Sequence, residues 1–299
     1  MLLKNSVLSF QINDSIRGSL SRLGSVAFEI INRQNLPFKI QSLFSEGLSL
    51  TSLFVNGIEN ESVFTIHVKG EGFIKTLFYD INHLSSLRGY IVFRKENKFA
   101  SSSNLNFFQN SVLAITNSGK NSILHQSIIP FDNDSLKDSI QKYFNPSEKI
   151  NTIFKTYSSN DLKKKKSNSD QYITGAIMLK NNFNEDIKDH FYSDEINIWE
   201  KANIYLNTLS DEEFLDCNLS SKDILRRVFG DFNVKVFEEK VINNKCKCSK
   251  QKILKFLKSL KKNDLKELFK NKNKISFVCE FCCKERFIFK SQISEFLKF

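Results

Sequence analysis

Alternation of apolar and polar residues predicts both strands and helices in the first 180 residues. Residues 64–68 place an apolar side chain at every second position, which is the period of a half-buried strand. Two further strands are predicted at 91–93 and 112–116, whereas residues 36–54 follow a helical period that begins near Pro37. The pattern predicts a core of mixed α and β structure.

From residue 190 to residue 240 the pattern becomes helical and highly charged. A capping box at 210–213 predicts the start of one helix, and Ser221 is the predicted N-cap of another, which ends at Gly230. Residues 234–236 alternate as a strand. An apolar stripe at helical spacing precedes these elements and contains Ile196, Trp199, Ala202 and Leu206. Short charged helices bury little apolar area, so we expect this segment to depend on docking for its stability.

Residues 241–299 predict a mini-domain of two short helices and two strands. Ser249 is the predicted N-cap of the first helix and Asn263 that of the second, and strands are predicted at 275–278 and 287–289. The helices carry the apolar residues Ile253, Phe256, Leu257, Leu260, Leu265, Leu268 and Phe269. These apolar residues are too few to stabilise a domain by their burial alone. We therefore expect another interaction to contribute to the stability of this mini-domain.

The net charge of +11 lies in the C-terminal segment. Residues 241–299 contain 16 basic and five acidic residues, whereas residues 1–240 contain 28 of each. A polar break at 157–171, with four consecutive lysines at 163–166, is interpreted as a solvated loop. The 29 Phe residues and the scarcity of Pro and Gly indicate a coding bias, so overall composition carries no functional signal.

Neither a targeting segment nor a membrane span is predicted. No basic stretch followed by an apolar region comes after Met1, and the longest apolar runs, such as 177–179, are far shorter than a bilayer-spanning helix. The sequence therefore predicts a cytoplasmic protein without a membrane partner.

Five of the six cysteines lie at or after residue 246, and four of them form two close pairs. Cys246 pairs with Cys248, and Cys279 pairs with Cys282 after 30 intervening residues. Two close pairs brought together by a small insert are typical of a four-thiolate zinc site, in which each turn supplies two ligands. The sequence therefore predicts one zinc ion bound by these four cysteines.

Four thiolates fill the coordination shell of zinc and leave no position for a reactive water. We therefore expect no zinc-hydroxide catalysis and predict that the protein is not an enzyme. Such a site is either structural or a switch, because oxidation of the thiolates to disulfides removes the ligands and releases the metal. Basic residues favour the reactive thiolate, and they crowd these cysteines at Lys245, Lys247, Lys250, Lys284 and Arg286.

Two cysteines fall outside this set of four. Cys283 directly follows Cys282, and three roles stay open for it: a small buried residue, an alternative zinc ligand or a resolving thiol. Cys217 stands alone in an amphipathic stretch and is predicted to pack in the interior.

The order of these motifs resembles that of the bacterial heat shock protein 33 family of redox-regulated holdase chaperones. The specific part of the resemblance is residues 241–249, which hold the first cysteine pair, followed by residues 279–282, which hold the second. Weaker matches follow the same order at 16–18, 36–48, 87–90, 143–148, 175–179, 225–229 and 236–237. The resemblance therefore extends over nearly the whole chain.

The resemblance implies an α+β protein in three parts. These are a mixed α/β core domain at 1–185, a metastable helical linker at 186–240 and a zinc-binding redox-switch domain at 241–299. It implies that the reduced, zinc-bound protein is an inactive monomer. Oxidation would pair Cys246 with Cys248 and Cys279 with Cys282, release zinc and unfold the linker. The resulting homodimer would hold unfolding client proteins without ATP and protect them from aggregation under oxidative stress.

Three features depart from the family. Cys283 stands where the family usually has Gly, which leaves open whether Cys282 or Cys283 is the zinc ligand. Ala176 replaces the second residue of a Gly-Gly pair. The zinc-binding segment is strongly basic, whereas family members are commonly acidic.

A basic segment with a four-cysteine zinc site is also typical of nucleic-acid-binding proteins. Lysine-rich surfaces bind phosphates, and the side chains of Phe281, Phe287 and Phe289 can stack on bases. We interpret these phenylalanines instead as part of the small core around the metal, so nucleic acid is not the expected partner. A thiol-transfer enzyme is disfavoured, because the 279–282 motif lacks a thioredoxin-like βαβ context.

Overall fold

The computed structural model describes residues 5–94, 107–119, 125–131, 135–147, 151–159, 173–181 and 191–293; for 145–147 and 191–196 it gives the backbone alone. The chain divides into two compact units, Met1–Asn244 and Lys245–Phe299. The lysine run at 163–166 lies outside the described residues. No described helix combines the length and apolarity needed to cross a bilayer.

The described part of the first unit contains two five-stranded antiparallel sheets. Sheet one consists of β1 (Ser6–Ile12), β2 (Ile16–Leu23), β8 (Asn151–Ser158), β9 (Thr174–Asn181) and β10 (Val234–Val241), in the order β10-β1-β2-β9-β8. Sheet two consists of β3 (Val63–Lys69), β4 (Ile74–Asn82), β5 (Leu87–Phe93), β6 (Val112–Ser118) and β7 (His125–Pro130), in the order β5-β4-β3-β6-β7. The three strands expected from the sequence are confirmed as β3, β5 and β6.

Three helices belong with these sheets: α1 (Ser25–Arg33), α2 (Phe38–Ser52) and α3 (Leu136–Ser147). Helix α2 contacts β8 and β9 of sheet one and β4 and β5 of sheet two, so the main hydrophobic core forms around it. The predicted helix at 36–54 is confirmed, with Pro37 directly before its first turn, where a fixed φ suits a helix start.

A second set of helices covers sheet one and completes a second core. These helices are α4 (Phe191–Thr208), α5 (Asp211–Leu215) and α6 (Ser221–Phe229). The predicted capping box at Ser210 is confirmed, since its side chain accepts a hydrogen bond from the backbone N–H of Glu213. The prediction of Ser221 as a cap is wrong by one residue. Ser220 is the N-cap and forms its own capping box with Asp223, which leaves Ser221 as the first helical residue.

Helices α4 to α6 are part of the first compact unit rather than a unit of their own. The predicted stripe on α4 contacts the sheet through Ala202 and Leu206, which are buried, and through Trp199, which is partly buried. The close approach of α5 depends on Gly175, because a Cβ there would lie 2.2 Å from the carbonyl oxygen of Ser21 and 2.6 Å from the ring of Phe214. The strand predicted at 234–236 is confirmed as β10, an edge strand.

In its described residues, 245–293, the second unit contains two helices, a hairpin and a 3₁₀ turn, Lys290–Ile293. The elements are α7 (Lys250–Ser259), α8 (Lys262–Leu268), β11 (Lys274–Val278) and β12 (Glu285–Phe289). Ser249 is confirmed as the cap of α7, because its side chain accepts a hydrogen bond from the backbone N–H of Lys252. The prediction of Asn263 as a cap is wrong: α8 begins after Lys261 and has no side-chain cap.

The core of the second unit is small. Its fully buried members among the described residues are Leu257, Leu265, Phe269, Ile288 and Ile293. The expectation that Phe287 and Phe289 belong to this core is wrong: they are 40% and 47% exposed. Strand alternation turns Ile288 inward and its two neighbours outward. So little apolar burial leaves this unit dependent on another source of stability.

Candidate metal centre

Two turns of the second unit carry the four paired cysteines. Cys246 and Cys248 lie in the extended segment between β10 and α7, just before the cap at Ser249. Cys279 and Cys282 lie in the turn that joins β11 to β12. Antiparallel pairing of Val278 with Glu285 closes this turn and brings its cysteines to the first pair.

The four sulfur atoms form one cluster. The Sγ atoms of Cys246, Cys248, Cys279 and Cys282 all lie within 4.8 Å of one another. The distance from Cys246 to Cys279 is 3.6 Å and that from Cys248 to Cys282 is 3.5 Å. Zn–S bonds of about 2.3 Å at tetrahedral angles place sulfurs roughly 3.8 Å apart. Four sulfurs at these distances fit a metal ion that prefers soft sulfur ligands.

The two adjacent cysteines at the second pair, Cys282 and Cys283, lie in different surroundings. Cys282 is 7% exposed and belongs to the cluster, whereas Cys283 is exposed and does not. Cys283 has a φ of +53°, in the left-handed region where Gly is favoured. The backbone at position 283 therefore has a conformation that suits glycine, although the residue there is a cysteine.

Replacing Cys283 by glycine is expected to stabilise the second unit by about 1 kcal/mol, because a left-handed backbone strains a residue with a Cβ. Guanidinium unfolding of the reduced, metal-loaded protein, followed by signals from residues 245–293, measures the change. Cys283→Ala is the matched control, since it removes the thiol and retains the strain. Loss of metal from Cys283→Gly would show that Cys283 is a ligand after all.

Cys217 does not pack in the interior. It is exposed, in the turn between α5 and α6, so the sequence-based prediction is wrong. Leu215 and Leu219, on either side of it, pack partly against the second core, whereas the side chain of Cys217 faces water.

Without a bound metal, the thiols of the cluster differ in pKa. Burial and hydrogen bonds from neighbouring thiols raise the pKa of Cys246 to about 12. Burial acts in the same direction on Cys248, but a hydrogen bond from Arg286 and interactions with the other thiols outweigh it and lower its pKa to about 7. Cys248 is therefore the more readily ionised of the two, and thiolates are the form that binds metals and reacts with oxidants.

Arg286 supports the first pair from strand β12. Its Nη2 lies 3.4 Å from both the Sγ and the carbonyl oxygen of Cys248, and the hydrogen bond raises the pKa of the guanidinium itself. The sequence identified Arg286 only as one of several nearby charges. Side chains alternate along β12, so that of Arg286 points to the same side of the strand as that of Ile288.

Arg286→Leu is expected to weaken metal affinity about tenfold, the lower end of the effect of losing a hydrogen bond to a metal ligand. Competition with a chromophoric chelator measures the affinity of the reduced protein. Lys284→Leu, which removes an exposed charge beside the same turn, is the control and is expected to change affinity much less. If both substitutions weakened metal affinity equally, Arg286 would act only through its charge and not through its hydrogen bond to Cys248.

The fold and the cysteine cluster can now be compared with known proteins. A family model described as Hsp33 protein matches residues 5–290. This chain belongs to the Hsp33 family. The α+β class inferred from the sequence is confirmed by the sheets and helices described above.

Similar proteins cover most of the chain. The 33 kDa chaperonin of Hahella chejuensis is 28% identical over 268 residues, which are 89% of this chain and 87% of that protein. The 33 kDa chaperonin of Caulobacter vibrioides is 24% identical over 294 residues, 95% of this chain and 94% of that protein. The crystal structure of the 33 kDa chaperonin (heat shock protein 33 homolog) from Thermotoga maritima matches with a TM-score of 0.79 and 20% identity, over 98% of both chains. At this identity the structural match shows a shared fold.

Proposed function

We propose that this protein is an ATP-independent holdase chaperone whose activity is switched by oxidation of the four-cysteine cluster. The observation that carries the proposal is the geometry of that cluster: four sulfurs at tetrahedral-site distances on a unit with a minimal apolar core. Membership of the Hsp33 family and relatives named 33 kDa chaperonin support the chaperone part.

In the reduced state the four thiolates would bind one zinc ion. A bound zinc ion cross-links the 246–248 segment to the 279–282 turn and supplies folding free energy that the five-residue core lacks. The shell has no open position, so the proposed role is structural until the thiols are oxidised, and no enzymatic activity is proposed.

Oxidation by a peroxide would remove the ligands. Two thiolates lose two electrons and form one disulfide, while the peroxide takes up those electrons with two protons and leaves as water. We propose the pairs Cys246–Cys248 and Cys279–Cys282, following the family resemblance. All four sulfurs lie within 4.8 Å of one another, so distance alone does not select this pairing.

Helices α4 to α6 would provide the response to metal release. They cover an apolar face of sheet one whose buried members are Leu8, Phe10, Ile12, Ile16, Leu20, Tyr157, Ile177 and Leu179. Each such side chain contributes about 1.5–3 kcal/mol when fully buried. Detachment of the helices would expose both this face and their own apolar stripes, which gives a large surface for unfolding proteins.

Lys155 of sheet one holds the C-terminal end of α4. Its Nζ donates hydrogen bonds to the carbonyl oxygens of Leu206, Asn207 and Leu209, at 3.1, 3.2 and 2.8 Å. Leu206 and Asn207 lie in the last turn of the helix and Leu209 directly follows it, where backbone acceptors lack helical partners and a cation is favoured. Burial lowers the pKa of Lys155.

Arg22 of sheet one holds the turn between α5 and α6. It is 1% exposed and donates hydrogen bonds to the carbonyl oxygens of Asp216, at 2.8 Å, and Leu219. The guanidinium also lies 5.7 Å from the ring centroid of Phe214. Burial lowers the pKa of Arg22 to about 10, so the side chain stays charged at neutral pH. Polar contacts therefore fix the helices on the sheet at two points.

Several further features belong to the same proposal. We infer a monomer in the reduced state, a homodimer after oxidation, unfolding proteins as clients and a cytoplasmic location. The division into a core, a metastable linker at 186–240 and a switch domain from 241 is likewise a functional proposal. A primarily nucleic-acid-binding protein is not favoured, because the family match begins at residue 5 and is not restricted to the basic segment.

Light scattering of a heat-unfolding client tests this function. Without ATP, peroxide-treated protein is expected to suppress aggregation, and reduced protein is expected to have little effect. Equal suppression by both forms would eliminate the switch, and suppression by neither would eliminate the holdase.

A further inference from the structure

The outward face of the hairpin β11–β12 carries exposed aromatic rings. Phe287 and Phe289 occupy alternate positions of β12 and are 40% and 47% exposed. Across the hairpin they pair with Ser276 and Lys274, so these four side chains share one face. Two exposed phenylalanines side by side form a contiguous apolar patch, the kind of surface on which interaction sites are found.

Each of these rings has an ammonium group beside it. The Nζ of Lys274 lies 4.8 Å from the ring centroid of Phe287, and the Nζ of Lys250 lies 5.6 Å from that of Phe289. Glu285, opposite Val278, is the acidic residue of this face. The face therefore combines flat apolar surfaces with positive charge within a few ångströms.

The surrounding unit is strongly basic. Residues 245–293 contain 15 basic and four acidic residues, whereas residues 1–240 are balanced at 28 of each. A coding bias toward lysine acts on the whole chain and does not by itself concentrate charge in one unit. Four thiolates around a divalent metal would lower the net charge of this unit by about two and leave it near +9.

We infer that the hairpin face binds single-stranded nucleic acid, with bases stacked on Phe287 and Phe289 and phosphates neutralised by Lys250, Lys274 and neighbouring lysines. Stacking requires bases that are free of a duplex, which selects single strands. A surface with this much positive charge attracts a nucleic acid, which is negative at every nucleotide, more strongly than an unfolded polypeptide, whose charges are mixed. The inference does not rest on the holdase function.

Fluorescence anisotropy with labelled single-stranded oligouridylate and oligothymidylate tests the inference on the full-length, reduced protein with zinc in the buffer. Binding at about 0.15 M salt is expected to weaken as salt rises, and Lys274→Ala is expected to reduce the salt slope by about 0.7. Phe287→Ala and Phe289→Ala are each expected to weaken binding roughly five- to tenfold, as loss of a stacking platform does. Metal content equal to wild type confirms that each variant keeps its fold.

Phe237 offers a matched control on the first unit. It is 44% exposed on strand β10, and the Nζ of Lys235 lies 5.7 Å from its ring centroid, so it repeats the ring and ammonium arrangement outside the basic unit. Phe237→Ala is expected to leave binding unchanged. Wild-type affinity in both hairpin variants, or equal affinity for heparin, duplex and single strand, would overturn the inference. Binding of an unfolded polypeptide without binding of either oligonucleotide would assign the face to client proteins and also overturn it.

Discussion

Replacing Cys279 by serine is expected to abolish metal binding and unfold residues 245–293 while the first unit stays folded. The unit has five fully buried apolar residues in its described part, too few to offset chain entropy without a cross-link. Structural zinc contributes roughly 10–16 kcal/mol in small metal-dependent domains, so loss of one ligand removes most of the stability. Elemental analysis gives the metal content, and hydrogen exchange of the two units gives the extent of unfolding.

The controls for this substitution come from the remaining cysteines. Cys283→Ser and Cys217→Ser remove exposed thiols that lie outside the cluster and are expected to keep one zinc per chain. Cys246→Ser, on the other side of the cluster, is expected to behave like Cys279→Ser. A reduced wild-type protein without zinc, or a protected second unit in Cys279→Ser, would contradict the account of the metal centre.

Replacing Arg22 by methionine is expected to loosen α5 and α6 and to give partial holdase activity in the reduced protein. The substitution removes the donor to the carbonyl oxygen of Leu219 and leaves that of Asp216 with only the backbone N–H of Leu219. Loss of two hydrogen bonds from a buried charged group costs roughly 3 kcal/mol. Trp199, the single tryptophan, packs against the same core and should shift its emission to the red. Hydrogen exchange should rise across α4 to α6 and stay low in sheet two.

Lys155→Met tests the second contact point, and Lys75→Met is the matched control. Lys75 also donates to a backbone carbonyl, that of Glu71 at 2.7 Å, but it lies on sheet two away from the helices. Lys155→Met is expected to loosen α4, whereas Lys75→Met is expected to change neither Trp199 emission nor holdase activity. If hydrogen exchange of α4 to α6 stayed at the wild-type level in both variants, neither Arg22 nor Lys155 would contribute to the proposed coupling.

Local patterns predicted most elements of the fold. Strand alternation around Ile66 and helical spacing behind Pro37 are short-range signals, and both elements are confirmed. The capping residues show the limit of such signals: Ser220 and Ser221 both suit a helix start, and only the hydrogen bond from the backbone N–H of Asp223 selects Ser220. The prediction of Asn263 as an N-cap was wrong because α8 begins before it and has no side-chain cap.

The four-cysteine cluster was predictable from the sequence, but its surroundings were not. Paired spacing is enough to propose the four cysteines, because each pair lies in one turn. Sequence alone did not separate Cys282 from Cys283, whereas the structure places only Cys282 in the sulfur cluster and leaves Cys283 exposed. The contacts of Arg22 with Asp216 and Leu219 join residues nearly 200 positions apart, and no local pattern predicts such pairs.

The central claim is that thiol oxidation releases the metal and thereby activates the holdase. A peroxide titration of the reduced, zinc-loaded protein tests it most directly when zinc release, followed with a chromophoric chelator, and suppression of client aggregation are recorded on the same samples. The account predicts that suppression rises in proportion to zinc released and that both reverse when thiols are reduced with zinc present. Full suppression while zinc stays bound, or complete zinc release without any suppression, would contradict it.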